Sequence, residues 1–144
     1  MAAVTVVLSL KALIVKGKKI LLVRRSLCDK WNPGKWEFPG GKADRGECFD
    51  ASLLREVFEE TSLRVKIFSG VSFVIHEMSV AECYKGIPRT ILFRVVTLES
   101  GEVQLSHEHC DFVWISGAEA LAYDLTTETQ KALEGLQQDT CFLQ

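Results

Sequence analysis

The sequence predicts a single α/β domain over residues 1–144, and three observations predict it. Runs rich in Val, Ile and Leu alternate with segments of helical period. The chain has the length of one domain, and its 47% apolar content suffices for a substantial core. No repeat, low-complexity tract or linker divides it.

The elements follow in order. Residues 4–15 and 19–25 read as a β-hairpin, since both are apolar and Lys16-Gly17-Lys18 is a turn signal. Residues 26–46 are loop-like, broken by Asn32-Pro33-Gly34, Pro39-Gly40-Gly41 and Asp44-Arg45-Gly46. Between those breakers Trp36-Glu37-Phe38 reads as a short strand. A helix is expected from Phe49 to Thr61, with Leu54, Val57, Phe58 and Thr61 as its apolar stripe and Ala51 above it. Its glutamates lie roughly opposite that stripe. Residues 63–78 and 89–98 read as strands, and Phe112–Ile115 as a shorter one. Residues 117–122 form a helical turn. Residues 127–137 form a closing helix with Thr126 or Thr127 as N-cap.

Charge and cysteine usage narrow the function classes. The net charge is −2 and the pI about 5.9, so no broad basic field invites a nucleic acid polymer. Lys16-Gly17-Lys18-Lys19 and Arg24-Arg25 are local features, read first as a turn and a strand end, with a phosphate-binding role for one of them as the alternative. The five cysteines contain no C-x-x-C, which suggests neither a disulfide framework nor a zinc site. Reduced thiols in a cytoplasmic protein are expected. The apolar start, Ala2 to Leu10, is interrupted by Lys11, and no stretch is long enough to cross a bilayer, so no membrane partner is expected.

The helix carries Glu56, Glu59 and Glu60 at spacings of three and four residues from the first, which puts the carboxylates on one face. Like charges so spaced repel. Glu59 and Glu60 also sit near the helix C-terminus, where the macrodipole disfavours anions. A hard divalent cation such as Mg²⁺, which takes carboxylate and phosphate oxygens, relieves both penalties.

The surrounding run is Gly41-Lys42-Ala43-Asp44-Arg45-Gly46-Glu47, then seven residues, then Arg55-Glu56-Val57-Phe58-Glu59-Glu60-Thr61-Ser62-Leu63. It resembles the Nudix box, G-x5-E-x7-R-E-U-x-E-E-x-G-U, in which U is a bulky apolar residue. Gly41, Glu47, Arg55, Glu56, Val57, Glu59, Glu60 and Leu63 match, and Ser62 stands where the family has glycine. The lead-in Trp36-Glu37-Phe38-Pro39-Gly40-Gly41-Lys42 is similar to that of MutT-type members.

The resemblance implies an α/β/α sandwich with a mixed sheet and Mg²⁺-dependent hydrolysis, with Mn²⁺ as a substitute ion. The metal would be held by Glu56, Glu59, Glu60 and the carbonyl of Gly40. Glu56, Glu59, Arg55 and Glu108 would be the catalytic residues. Arg55 would fix Glu47 or Glu56 in one rotamer. A water activated at the metal attacks a phosphorus in line, and a carboxylate takes its proton. Glu56 is one candidate for that base, and Glu108, in Ser106-His107-Glu108-His109, is another, with Glu102 as its alternative. His107 and His109 are read mainly as caps of the strand near Phe112.

On the substrate side, the resemblance points to a nucleotide bound near Phe38, Gly41, Lys42 and Asp124. Phe38 is the leading base clamp, ahead of Trp31, Trp36, Phe73 and Tyr84, and Asp124 would face a purine edge. The implied reaction releases a nucleoside monophosphate and pyrophosphate from a nucleoside triphosphate, with oxidised nucleotides such as 8-oxo-dGTP among the MutT-like substrates. The alternatives keep the box and change the substrate to ADP-ribose, NADH or a dinucleoside polyphosphate. Gly40-Gly41 in place of Lys-Gly counts against the last of these. A non-catalytic nucleotide-binding module is a further alternative, opposed by retention of all three carboxylates. Ser62, at the helix C-terminus, is expected to be left-handed at a cost of ~1 kcal/mol relative to glycine.

Overall fold

The computed structural model describes residues 2–78 and 85–138, the side chains of 69–73 excepted. Tyr84 and the side chain of Phe73 lie outside that description. The described residues form seven strands, β1 (Val7–Lys16), β2 (Lys19–Arg25), β3 (Trp36–Glu37), β4 (Gly40–Lys42), β5 (Arg64–Met78), β6 (Pro88–Ser100) and β7 (His109–Ile115). With them, among the described residues, are three helices, α1 (Phe49–Thr61), α2 (Gly117–Ala120) and α3 (Thr127–Gln138).

The sheet is mixed, in the order β3-β2-β1-β6-β5, with β4 added to β1 and β7 to β2. β1 and β6 run parallel from Val7↔Arg89 to Val15↔Thr97. The predicted β1–β2 hairpin forms, but its ladder pairs only Val15 with Ile20 and Lys16 with Lys19. Beyond that the strands take different partners. β1 pairs with β4 over Ser9–Lys11, and β2 pairs with β7 over most of its length. This divergence opens the sheet beside Ser9, Lys11 and Arg25.

Alternation along β1 sorts its side chains between two layers. Leu10, Ala12 and Ile14 join Leu53 and Val57 of α1 in one core. Leu13, with Leu22 of β2 and Phe93 of β6, joins Ala132, Leu133 and Leu136 of α3 in the other. Helices on both faces make the expected α/β/α sandwich. Each fully buried Leu or Val here contributes about 1.5–3 kcal/mol.

The helix boundaries agree with the sequence, but the face of α1 does not. Its buried residues are Ser52, Leu53, Val57, Glu60 and Thr61, while Leu54 and Phe58 are exposed and Ala51 is at the surface. The inward stripe is therefore rotated toward the carboxylates, and Glu60 faces the interior. The cause is the unforeseen strand β4, which lies against α1 and covers that flank. Ser62 is left-handed as expected, at φ 62°, and its N–H donates to Phe58 O at 2.8 Å.

Candidate active site

Two glycines bring the β3–β4 turn against α1. Gly40 has φ +144°, and a Cβ there would lie 2.0 Å from Leu10 O. At Gly41 a Cβ would lie 2.6 Å from Glu56 Oε2. Only glycine lets backbone approach backbone and carboxylate this closely. The Gly40 N–H donates to Glu60 Oε2 at 2.9 Å.

Arg55 organises the acidic side of the helix. Its guanidinium reaches Glu47 at 3.1 Å, Glu56 at 3.1 Å, Glu59 at 3.1 Å and Asp44 at 3.0 Å. The expected pairing with Glu47 or Glu56 is thus realised with both. Ser52 Oγ also donates to Glu47. The Arg55 and Ser52 hydrogen bonds hold the Glu47 carboxyl below the usual carboxylate range.

Two box carboxylates, Glu56 and Glu60, are strained as anions. Burial first, then Glu59 and Glu108, push the Glu56 carboxyl up against the opposing pull of Arg55. Glu60 is pushed to about 8, chiefly by burial, which Lys11 and the Gly40 N–H offset only in part and to which Glu37 and Glu108 add a smaller repulsion. Glu108, on the turn before β7, comes together with them. One oxygen each from Glu60 and Glu108 and one ring nitrogen of His109 lie within 4.8 Å of one another. Carboxylates destabilised by burial and by each other, beside a loop that admits no Cβ, form a donor set that fits a divalent cation. Glu102 is exposed and outside this group.

A cavity of about 500 Å³ opens beside these groups. Gly40, Gly41, Lys42, Glu56, Glu60 and Glu108 line it, as expected of them. Glu59 is exposed and tied to Arg55 at the margin. Two expectations fail. Phe38 is wholly buried, packed edge-to-face on Phe93 with centroids 6.2 Å apart, and has no ring face for a base. It follows the strand alternation into the core, and Trp31, half-exposed, stands at the cavity instead. Asp124 pairs with Lys35 at 2.9 Å and does not line the cavity.

The cavity wall also holds Lys11 and Glu37, to which the sequence reading gave no role in the site, together with Arg25 and His109. Glu37 is buried, with Lys11 at 3.2 Å, Arg25 at 3.0 Å and His109 at 3.0 Å. Burial pushes its carboxyl up, but Lys11, His109 and Arg25 outweigh that and bring it to about 2. His109 therefore does not cap its strand. β7 begins at His109 itself, and the ring lies in the wall. Around the start of β1, Arg89 reaches Ser9 at 3.3 Å and the buried Glu128 at 3.5 Å. For Lys11 the available signal was a cation inside an otherwise apolar strand.

A mixed-sheet sandwich in which a Gly-Gly turn lies against carboxylates of α1, with buried Glu60 beside Glu108, is an arrangement that fits a divalent cation and phosphate chemistry. Comparison with known proteins agrees: the NUDIX domain matches residues 5–136. The chain belongs to the Nudix family, hydrolases of pyrophosphate bonds in nucleotide substrates. It is 31% identical over 129 residues to the CTP pyrophosphohydrolase of Escherichia coli (strain K12), covering 85% of each chain. Among solved structures it is similar to a MutT NUDIX hydrolase from Burkholderia pseudomallei, at TM-score 0.74 and 26% identity over 90% of this chain and 97% of that one. It is similar also to the MutT protein of Methanosarcina mazei Go1, at TM-score 0.70 and 27% identity over 98% and 99%. Among the described residues, no helix is long and apolar enough to cross a membrane.

Proposed function

We propose that this chain is a Mg²⁺-dependent nucleoside triphosphate pyrophosphohydrolase that releases a nucleoside monophosphate and pyrophosphate. The observation that carries the reading is a single cavity with Glu56, Glu60 and Glu108 in its wall together with Lys11, Arg25 and Arg89. Carboxylates suit the ion, and the cations suit a polyphosphate. The E. coli relative named for CTP pyrophosphohydrolysis supports a triphosphate substrate.

Glu56, Glu59, Glu60 and the Gly40 carbonyl would hold Mg²⁺, with Mn²⁺ as a substitute. When bound, the ion supplies positive charge against the pyrophosphate and acidifies a water for in-line attack. Glu108 would take the proton of the attacking water, with Glu56 as the second candidate. Arg55 keeps Glu56 and Glu59 in fixed rotamers. Lys42 and Gly41 flank the phosphates. The base stacks on Trp31 rather than Phe38, and its edge is read by Arg89 and Glu128 rather than Asp124. The substrate set includes oxidised nucleotides such as 8-oxo-dGTP. The exposed free thiols of Cys28, Cys48 and Cys110 suit a reducing cytoplasm.

Reaction in ¹⁸O-labelled water, across ordinary and oxidised triphosphates, ADP-ribose and diadenosine polyphosphates, tests this reading. Monophosphate and pyrophosphate are the expected first products. Orthophosphate and a nucleoside diphosphate would overturn it.

A further inference from the structure

His109 is held in a way that the hydrolysis reading does not use. Its ring is buried, and Nε2 lies 3.0 Å from Oε1 of the buried Glu37. Glu37 is an ionised carboxylate and accepts only, so Nε2 carries the hydrogen. In the tautomer that carries its hydrogen on Nε2 alone, Nδ1 offers a lone pair. Nδ1 is buried and has no hydrogen-bond partner among the described residues. The same residue brings a ring nitrogen into the group formed by Glu60 and Glu108.

Imidazoles that bind metals usually donate their other N–H to a carboxylate, which fixes tautomer and ring direction. Glu37 is such a carboxylate, itself anchored by Lys11 and Arg25. We propose that His109 Nδ1 is a nitrogen ligand that joins Glu60 and Glu108 on a divalent ion, making this position selective for ions that accept nitrogen. The inference rests on Glu60 being a metal ligand, as in the function proposed above, and adds Glu108 to it from the same cluster. Mg²⁺ prefers oxygen, whereas Mn²⁺, Co²⁺ and Zn²⁺ accept imidazole in increasing measure. The chain would thus offer an all-oxygen set on Glu56, Glu59 and the Gly40 carbonyl and a mixed nitrogen–oxygen set at His109 and Glu108, with Glu60 common to both.

Pulsed electron paramagnetic resonance of tag-free protein loaded with Mn²⁺ alone tests this directly. The expected spectrum shows ¹⁴N modulation from a bound imidazole. H109Q keeps an amide near Glu37 and removes Nδ1. It should lose the modulation and weaken Mn²⁺ binding ~10–100-fold, the usual scale for disturbing a ligand's support. The chain has three histidines, so the H76Q/H107Q double variant carries His109 alone and assigns the signal even if H109Q does not fold. No imidazole modulation in that double variant, or modulation persisting in folded H109Q, would overturn the proposal. Pyrophosphate release without nitrogen coupling would defeat this inference and leave the function standing. Nitrogen coupling without pyrophosphate release would do the reverse.

Discussion

The Gly40 N–H donates to Glu60 Oε2 at 2.9 Å, tying the β3–β4 turn to the last turn of α1. The bond offsets only part of what burial does to this carboxyl, which sits near 8 without a cation. Its folded pKa lies above the ordinary 4.5, so the folded chain retains a proton that the unfolded chain gives up. Stability should therefore be intact below pH 4.5 and fall as pH rises toward 8. A bound divalent ion removes the penalty by pairing with the anion. Thermal melts in EDTA and in Mg²⁺ should show a stabilisation by metal that is larger at pH 8 than at pH 6. Equal increments at both values would remove Glu60 from the metal set.

E59Q and E60Q should each lower kcat at least ~10²-fold, given the several kcal/mol that metal charge stabilisation supplies. Both should fold, since each loses a charge rather than an apolar contact. In the metal-free state E60Q should be the more stable of the two at pH 8. E108Q tests the base through the pH–rate profile. An unchanged acidic limb in E108Q would return that role to Glu56.

Glu37 behaves in the opposite sense. Its folded carboxyl, near 2, lies below the ordinary 4.5, so its stabilisation is full above pH 4.5 and is lost as pH falls toward 2. That difference corresponds to roughly 3 kcal/mol. E37Q leaves the buried Lys11 and the half-buried Arg25 with a neutral partner, and breaking a buried pair in this way costs ~3–5 kcal/mol at pH 7. Urea unfolding at pH 7 and pH 3 should show a large loss in the variant at pH 7 and a smaller one at pH 3. A pH-independent difference would mean that Glu37 acts by packing alone.

G41A and G40A should separate function from fold. A Cβ at 41 meets the mobile end of Glu56, which can swing away, so G41A should fold and lose ~10-fold or more in kcat. At 40 the obstacle is the Leu10 carbonyl, and φ is +144°, so strain of at least ~1–3 kcal/mol falls on the backbone. A G41A enzyme with wild-type kcat would show that the rotamer of Glu56 is immaterial.

Much of this was legible in the chain because it is local. The Phe49–Thr61 helix and the box residues are set by spacing, and the glycines by the chemistry of a tight turn. What was not legible depends on strands that meet across the sequence. Leu54 and Phe58 look like core on a helical wheel, yet β4 covers the other flank of α1 and turns Glu60 inward. Phe38 looked available because it precedes a loop, but its strand neighbour Glu37 takes the cavity side. The Lys11–Glu37–Arg25–His109 cluster joins β1, β2, β3 and β7, and no single window of sequence contains it.

Ser62 offers the last prediction. Its left-handed backbone, at φ 62°, puts Cβ in a conformation that costs a non-glycine residue ~1 kcal/mol or more. Its hydroxyl recovers little, reaching Gln104 O at a long 3.3 Å. Glycine would relieve the strain but would lose more backbone entropy on folding, so the net gain should be below the full penalty, about 0.5–1 kcal/mol. In a domain of this size that corresponds to a rise of ~2–4 °C in Tm. S62G touches none of the carboxylates, and Thr61 O keeps its bond from Gln104 N at 2.9 Å. Scanning calorimetry should therefore register the increase while kcat/KM with Mg²⁺ stays within about twofold. A lower Tm in S62G would show that the hydroxyl, not the backbone, decides the residue at this helix end.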